Sequence, residues 1–308
     1  LAGTRIPAVP AALRIAVGTA SAATACARRR CRVMRCAVEA QAAPAGRRLA
    51  SGDGADVVGF QLRRRRGQRQ FRPRVADGVA LRELAGKPAL LQPRLAGKHI
   101  KHANAQHCVQ VGELLAHLHL ATQGDKVLER KTDRGLDWML DEGAQLISHL
   151  DAEQQRLLQA ALDEIQQHKA HILTLPRANI HADLFRDNAM FEGTHLTGLI
   201  DFYNACSGPM LYDVAIALND WCSDEAGVID GHRARALLGA YAALRPFSTG
   251  EAELWPTMLR VACVRFWLSR LIAAETFAGQ DVLIHDPVEF QQRLEQRQHV
   301  AIQLPLAL

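Results

Sequence analysis

The stretch Asn179-Ile180-His181-Ala182-Asp183-Leu184-Phe185-Arg186-Asp187-Asn188 puts two carboxylates, a carboxamide and an imidazole within eight positions, among apolar residues. Thirteen residues on, Gly198-Leu199-Ile200-Asp201-Phe202-Tyr203 ends an apolar run in another carboxylate. Asp183 and Asn188 stand five apart, an Asp-to-Asn spacing used in phosphoryl transfer. That chemistry asks one carboxylate to accept the proton of an attacking hydroxyl, while Asn188 and Asp201 hold Mg²⁺ against the phosphates of ATP.

The spacing alone is not specific, because the same Asp and Asn would also cap turns. Its surroundings add to it. Residues 179–181 read as a short strand entering a loop. Ala189-Met190-Phe191, a turn at Glu192-Gly193 and residues 196–200 read as a hairpin, which would return Asp201 beside Asn188.

Four strings carry a resemblance: His181-Ala182-Asp183-Leu184-Phe185-Arg186-Asp187-Asn188, Ile200-Asp201-Phe202-Tyr203, Leu211-Tyr212-Asp213 and Asn219-Asp220-Trp221-Cys222. Together they resemble the bacterial homoserine kinases of the aminoglycoside-phosphotransferase-like superfamily, over residues 77 to near the C-terminus. The catalytic-loop motif alone would fit several small-molecule kinases; the string through Cys222 narrows it. The resemblance implies an α+β, protein-kinase-like fold, with a mostly helical C-lobe and a short catalytic hairpin. It implies transfer of a phosphoryl group from MgATP to the side-chain hydroxyl of L-homoserine, on the way to threonine. In that scheme Asp183 is the catalytic carboxylate, Asn188 and Asp201 bind the metal, and His181 braces the loop. Asp187, Tyr203, Asp220, Trp221 and Arg265 are candidates for substrate binding. Asp187 would equally cap a turn, and Arg186 is expected to face solvent.

The formal charge of +5 averages two different kinds of sequence. Residues 1–78 hold sixteen Arg, no Lys and four acids, a balance of +12. The remainder carries twenty-one basic residues against twenty-eight acidic ones, a balance of −7. The first segment does not read as a lobe. Arg28-Arg29-Arg30 and Arg63-Arg64-Arg65-Arg66 would repel within a compact unit, and Val57-Val58-Gly59-Phe60 is its nearest strand candidate. An Arg-rich arm would suit nonspecific nucleic-acid binding. An acid-poor N-terminus would suit a transit peptide, and residues 11–25 would pass for a signal peptide but for Arg14.

The preferred reading is a frameshifted segment. The family would have a phosphate-covering loop and a nucleotide-gripping Lys here, and neither is present. Ser51-Gly52-Asp53-Gly54 follows no clear strand, Val79-Ala80-Leu81-Arg82 has Arg where Lys belongs, and the first Lys is Lys87. Leu1 in place of Met fits a partial gene. The expected organisation is therefore an irregular segment over 1–76, the last N-lobe strands and hinge over 77–100, and the helical C-lobe with the catalytic loop over 101–308. The N-lobe is largely missing or garbled.

From Lys87 to Leu95 runs a short apolar strand bounded by prolines. Residues 108–120 read as an amphipathic helix with Val111, Leu114, Leu115 and Leu118 on one face. His117 and His119, two apart, do not share a helix face and read as surface or satisfied histidines rather than a metal pair. Asp151 with Gln154 reads as a capping box. Pro209 opens another helix, and Asp213 near its start fits the helix dipole as well as a substrate role.

Residues 251–279 form a long helical tract broken by Arg260, Arg265 and Arg270, so it is no membrane span. Arg265 and Arg270 offer a guanidinium to a substrate carboxylate, although burial of the stem with the charge paired to an acid is the plainer reading. Residues 302–308 read as a loose apolar tail. Cys26, Cys31 and Cys36 lie too far apart for a zinc site, and the other four cysteines are scattered, which suits reduced thiols in a cytoplasm. The partner expected is a small molecule, with no membrane and with nucleic acid disfavoured. Two rival readings remain: a kinase for choline, an aminoglycoside or another small alcohol, and a non-catalytic remnant or Arg-arm nucleic-acid binder.

Overall fold

The computed structural model describes residues 59–61, 81–84, 87–90, 94–280, 284–299 and 301–306. The readings of residues 1–76, from nucleic-acid arm to frameshifted segment, lie outside the described residues except at Gly59–Gln61. In chain order the elements are β1 (Gly59–Gln61), β2 (Leu81–Leu84), β3 (Lys87–Leu90), α1 (Ala105–Thr122), α2 (Leu136–Leu146), α3 (Ala152–Thr174), β4 (Arg177–Ile180), β5 (Ala189–Glu192), β6 (His195–Ile200), β7 (Cys206–Pro209), α4 (Met210–Trp221), α5 (Gly231–Leu244), α6 (Thr249–Thr276) and α7 (Val288–Gln296). The architecture is α+β, mostly helical with short sheets. Two units divide it. Of the described residues, one holds those up to Lys101 together with Asp187–Tyr203, and the other holds His102–Arg186 and Asn204 onward.

In the first unit the sheet order is β1-β6-β5, all antiparallel, and β2 pairs with β3 in a separate hairpin. β1 falls at the one strand candidate of its segment. The β5–β6 hairpin turns through Gly193, whose φ of 59° is the left-handed backbone that a two-residue loop asks of its first position. On the other side of β5, Lys98 and Phe191 exchange both backbone hydrogen bonds at 2.9 Å. Gly97 makes this approach possible, because a Cβ there would stand 2.5 Å from the Phe191 carbonyl oxygen. Thr197 on β6 donates its hydroxyl to the carbonyls of Ala96 (2.5 Å) and Met190 (3.0 Å), tying that segment to the hairpin.

In the second unit α1 packs on α5, and α6 packs on both α4 and α7. α1 begins earlier than its apolar stripe suggests. Asn104 accepts the His107 N–H, and the His107 ring accepts the Asn104 N–H, a reciprocal cap with His in the place usually held by Glu or Gln. The expected stripe of Val111, Leu114, Leu115 and Leu118 is buried. Gly112 lets α1 and α5 approach closely, since a Cβ there would lie 2.2 Å from the Leu237 carbonyl oxygen. Asp151 and Gln154 form the expected capping box of α3. Ser248 and Glu251 form another at the start of α6.

Trp221, Trp255 and Trp267 are all fully buried, and the last stretch is less loose than its sequence suggests. The Trp255 indole donates to the Ile302 carbonyl at 3.1 Å, and Leu306 bridges to Phe247. Among the described residues, no helix is long and apolar enough to cross a membrane.

Candidate active site

The loop that begins at His181 leaves β4 in the second unit. β4 pairs antiparallel with β7, and Asn179 fixes its outer side by exchanging hydrogen bonds with the backbone of Leu128 at 2.7 and 2.9 Å. At Ala182 the chain takes a φ of 60°. A left-handed backbone at a residue with a side chain costs about 1–3 kcal/mol and persists only where its surroundings hold it. Asp213, in the first turn of α4, supplies that hold. Its carboxylate accepts the N–H groups of His181 and Ala182, both at 2.8 Å. It also pairs with His119 Nε2 at 3.1 Å, and His119 Nδ1 meets the Tyr241 hydroxyl at 2.8 Å. Asp213, His119 and Tyr241 are all fully buried.

Seven residues along α4, on the same face two turns later, Asp220 and Trp221 hold the other end of the loop. Asp220 accepts the Arg186 N–H at 2.8 Å and both its Nε and a terminal nitrogen at 3.1 Å. Trp221 donates its indole N–H to the Leu184 carbonyl at 3.1 Å. Arg186 is thus half-buried and tied to Asp220, not free in solvent, because a bidentate carboxylate stands beside it. One helix strings the loop between two carboxylates. Between them, Asp183 presents a carboxylate that accepts the Asn204 side-chain N–H at 2.9 Å.

Asp213 carries an electrostatic signature of this brace. Burial would raise its carboxyl, but the hydrogen bond and charge of His119, followed by the charge of His181 and its backbone N–H, hold it below the usual carboxylate range. A folded value below the unfolded one, about 3.9, means stability that is complete above that value. It is lost as pH falls through the lower folded value. Asp213→Asn should therefore destabilise the chain by about 3–5 kcal/mol at pH 7, because it strips a buried His and two N–H groups of their anion. Urea unfolding at pH 7 and pH 3 checks this. The gap between parent and variant narrows at pH 3; an equal gap at both would mean that the carboxylate's charge is not what holds the loop.

The first unit carries Asn188 and Asp201. The hairpin register pairs Ala189 with Leu199, so Asn188 just before β5 and Asp201 just after β6 come to the same end of the hairpin. Asn188 is buried. Asp201 has a φ of 59° and accepts the Tyr203 N–H at 3.2 Å, which fixes the turn after β6. A carboxylate and a carboxamide are both hard oxygen donors, a fit for Mg²⁺. Asp187 is exposed, and Tyr203 is 38% exposed.

Residues 61–247 match the model of the phosphotransferase enzyme family. The homoserine kinase of Pseudomonas aeruginosa (strain LESB58) is 66% identical over 235 residues, covering 76% of this chain and 74% of the relative. The chain belongs to the homoserine kinases of the phosphotransferase enzyme family. The homoserine kinase of Methylobacillus flagellatus is 43% identical over 219 residues, 71% of this chain and 68% of its own. In fold, the chain is similar to an aminoglycoside phosphotransferase from Alicyclobacillus acidocaldarius. The TM-score is 0.51, at 18% identity over 94% of this chain and 81% of that one. A choline/ethanolamine kinase family protein from Mesorhizobium loti gives 0.52, at 15% identity over 71% of each chain. The fold is protein-kinase-like, and a kinase of this family uses ATP.

Within this family frame, the sequence reading missed the partners of the loop. Asn204 beside Asp183, and the chain Asp213–His119–Tyr241, gave no local signal, His119 having read only as a surface or satisfied histidine. Asp220 and Trp221, expected near the acceptor, hold loop backbone. His181 is buried, with its N–H on Asp213.

Proposed function

We propose that the chain phosphorylates the side-chain hydroxyl of L-homoserine with MgATP, giving O-phospho-L-homoserine. The observation that carries this reading is the 66% identity to a homoserine kinase; the choline and aminoglycoside kinases share only the fold, at 15% and 18% identity. Asp183 orients the acceptor hydroxyl and takes its proton as the γ-phosphoryl group moves in line. The Asn204 N–H, donated to a carboxylate oxygen at 2.9 Å, orients the Asp183 side chain. Asn188 and Asp201 would hold Mg²⁺, which would neutralise charge on the phosphates. His181 braces the loop, its backbone N–H held by Asp213 at 2.8 Å. The four described cysteines are free and buried, which suits a reducing cytoplasm.

A substrate panel tests the reading. In an enzyme carrying a relative's N-terminal region ahead of Asp77, kcat/KM for L-homoserine should exceed that for choline or kanamycin by about 10⁴-fold or more, the discrimination reached when buried polar groups are left unpaired by the wrong ligand. Comparable values for all three would remove L-homoserine as the acceptor.

A further inference from the structure

α6 carries three arginines at intervals of five, and two are accounted for. Arg260 pairs with Glu164, its Nε at 2.6 Å from the carboxylate. Arg270 pairs with Glu289 at 2.5 Å and donates to the Asp286 carbonyl at 2.8 Å. Arg265 has neither a hydrogen bond nor an ion pair among the described residues, although it is only 5% exposed. A guanidinium this enclosed, with no carboxylate paired to it, is suited to receive an anion. The guanidinium carbon sits 4.0 Å from the centroid of the Phe266 ring. Stacking on that face leaves the edge N–H groups for a planar, bidentate anion.

A second group on α4 is in the same condition. The Tyr212 hydroxyl is buried and has no partner among the described residues. Its ring packs against Ile180, Ala182 and Cys206, next to Asp183 in the chain. Burial pushes the Tyr212 phenol up, and of the surrounding charges Arg265 opposes the rise while Asp183 adds to it. Phe266, under the Arg265 guanidinium, meets the Phe185 ring at 4.5 Å, two residues beyond Asp183. The cation and the hydroxyl are thus tied to the segment that carries Asp183, the hydroxyl through Ala182 and the cation through Phe266 and Phe185.

We infer that Arg265 and Tyr212 form the seat for the acceptor's carboxylate, so that the site selects an amino acid over the corresponding amino alcohol. This rests on the reading of L-homoserine as acceptor. It separates the two arginines offered by the sequence, since Arg270 already has its anion.

Binding to the full chain, measured by isothermal titration without nucleotide, tests the inference with three ligands. L-Homoserine has hydroxyl and carboxylate, L-2-aminobutyrate lacks the hydroxyl, and 3-aminopropan-1-ol lacks the carboxylate. Both carboxylates should bind more tightly than 3-aminopropan-1-ol. Arg265→Met should weaken the two carboxylates by about 10- to 100-fold and leave 3-aminopropan-1-ol nearly unchanged. Tyr212→Phe, which removes one hydroxyl and keeps the packing, should weaken the carboxylates by about 3- to 10-fold. Arg265→Lys should retain part of the preference. Equal weakening of all three ligands, or no weakening, or no binding of either carboxylate to the parent chain, overturns the inference. If the carboxylates bind in an Arg265-dependent way but the enzyme carrying a relative's N-terminal region does not phosphorylate L-homoserine, the seat stands and the L-homoserine kinase reading falls.

Discussion

Asp183→Asn should lower kcat for L-homoserine by about 10²–10⁴-fold, the range contributed by a positioned general base. The substitution keeps volume and shape, and Asn204 can turn its amide to meet the new side chain. The loop itself is held elsewhere, by Asp213 at its start and by Asp220 and Trp221 at its end. Binding of L-homoserine should therefore stay close to that of the parent, so that the loss falls on kcat and not on KM. Steady-state kinetics at saturating ATP would reveal the split. A loss confined to KM would make Asp183 a binding group, and the base would have to be sought elsewhere.

Exchanging the sequence ahead of Asp77 for the corresponding region of the Pseudomonas aeruginosa relative should raise turnover of L-homoserine by about 10²–10³-fold or more. Phosphoryl transfer depends almost wholly on positioning and electrostatic stabilisation. Losing a single well-placed donor costs about 10²–10³ in rate at comparable sites. Residues 1–76 contain no lysine to grip the phosphates, and Ser51-Gly52-Asp53-Gly54 is a poor glycine loop. The rates of the chain and of the exchanged version, compared at equal concentration, decide the matter. Equal rates would mean that the first 76 residues already provide what the family's N-lobe provides.

The parts of the site that were legible in the sequence are those set by near neighbours. The loop from His181 to Asn188 and the hairpin that follows lie within about twenty residues, and alternation plus one glycine turn fixes their register. The parts that were not legible depend on distant chain. Asp213 read equally as a helix-start acid or a substrate contact, and only folding brings His119 and Tyr241 to it. Arg186 looked solvent-facing because Asp220 is thirty-four residues away in sequence. Arg265 and Arg270 both offered a guanidinium in the sequence, with Arg265 alone put among the substrate-binding candidates, and the pairing of Arg270 with Glu289 lies beyond what spacing shows. α1 began earlier than expected because a histidine at its third position acts as the reciprocal cap.

The most direct test is the phosphorus NMR spectrum of the product made from ATP, Mg²⁺ and L-homoserine by the exchanged enzyme, beside its Asp183→Asn variant. A phosphomonoester resonance coupled to the side-chain methylene protons of homoserine is expected from the parent, and almost none from the variant in the same time. No phosphohomoserine from the parent, or the same amount from both, would contradict transfer to the L-homoserine hydroxyl through Asp183.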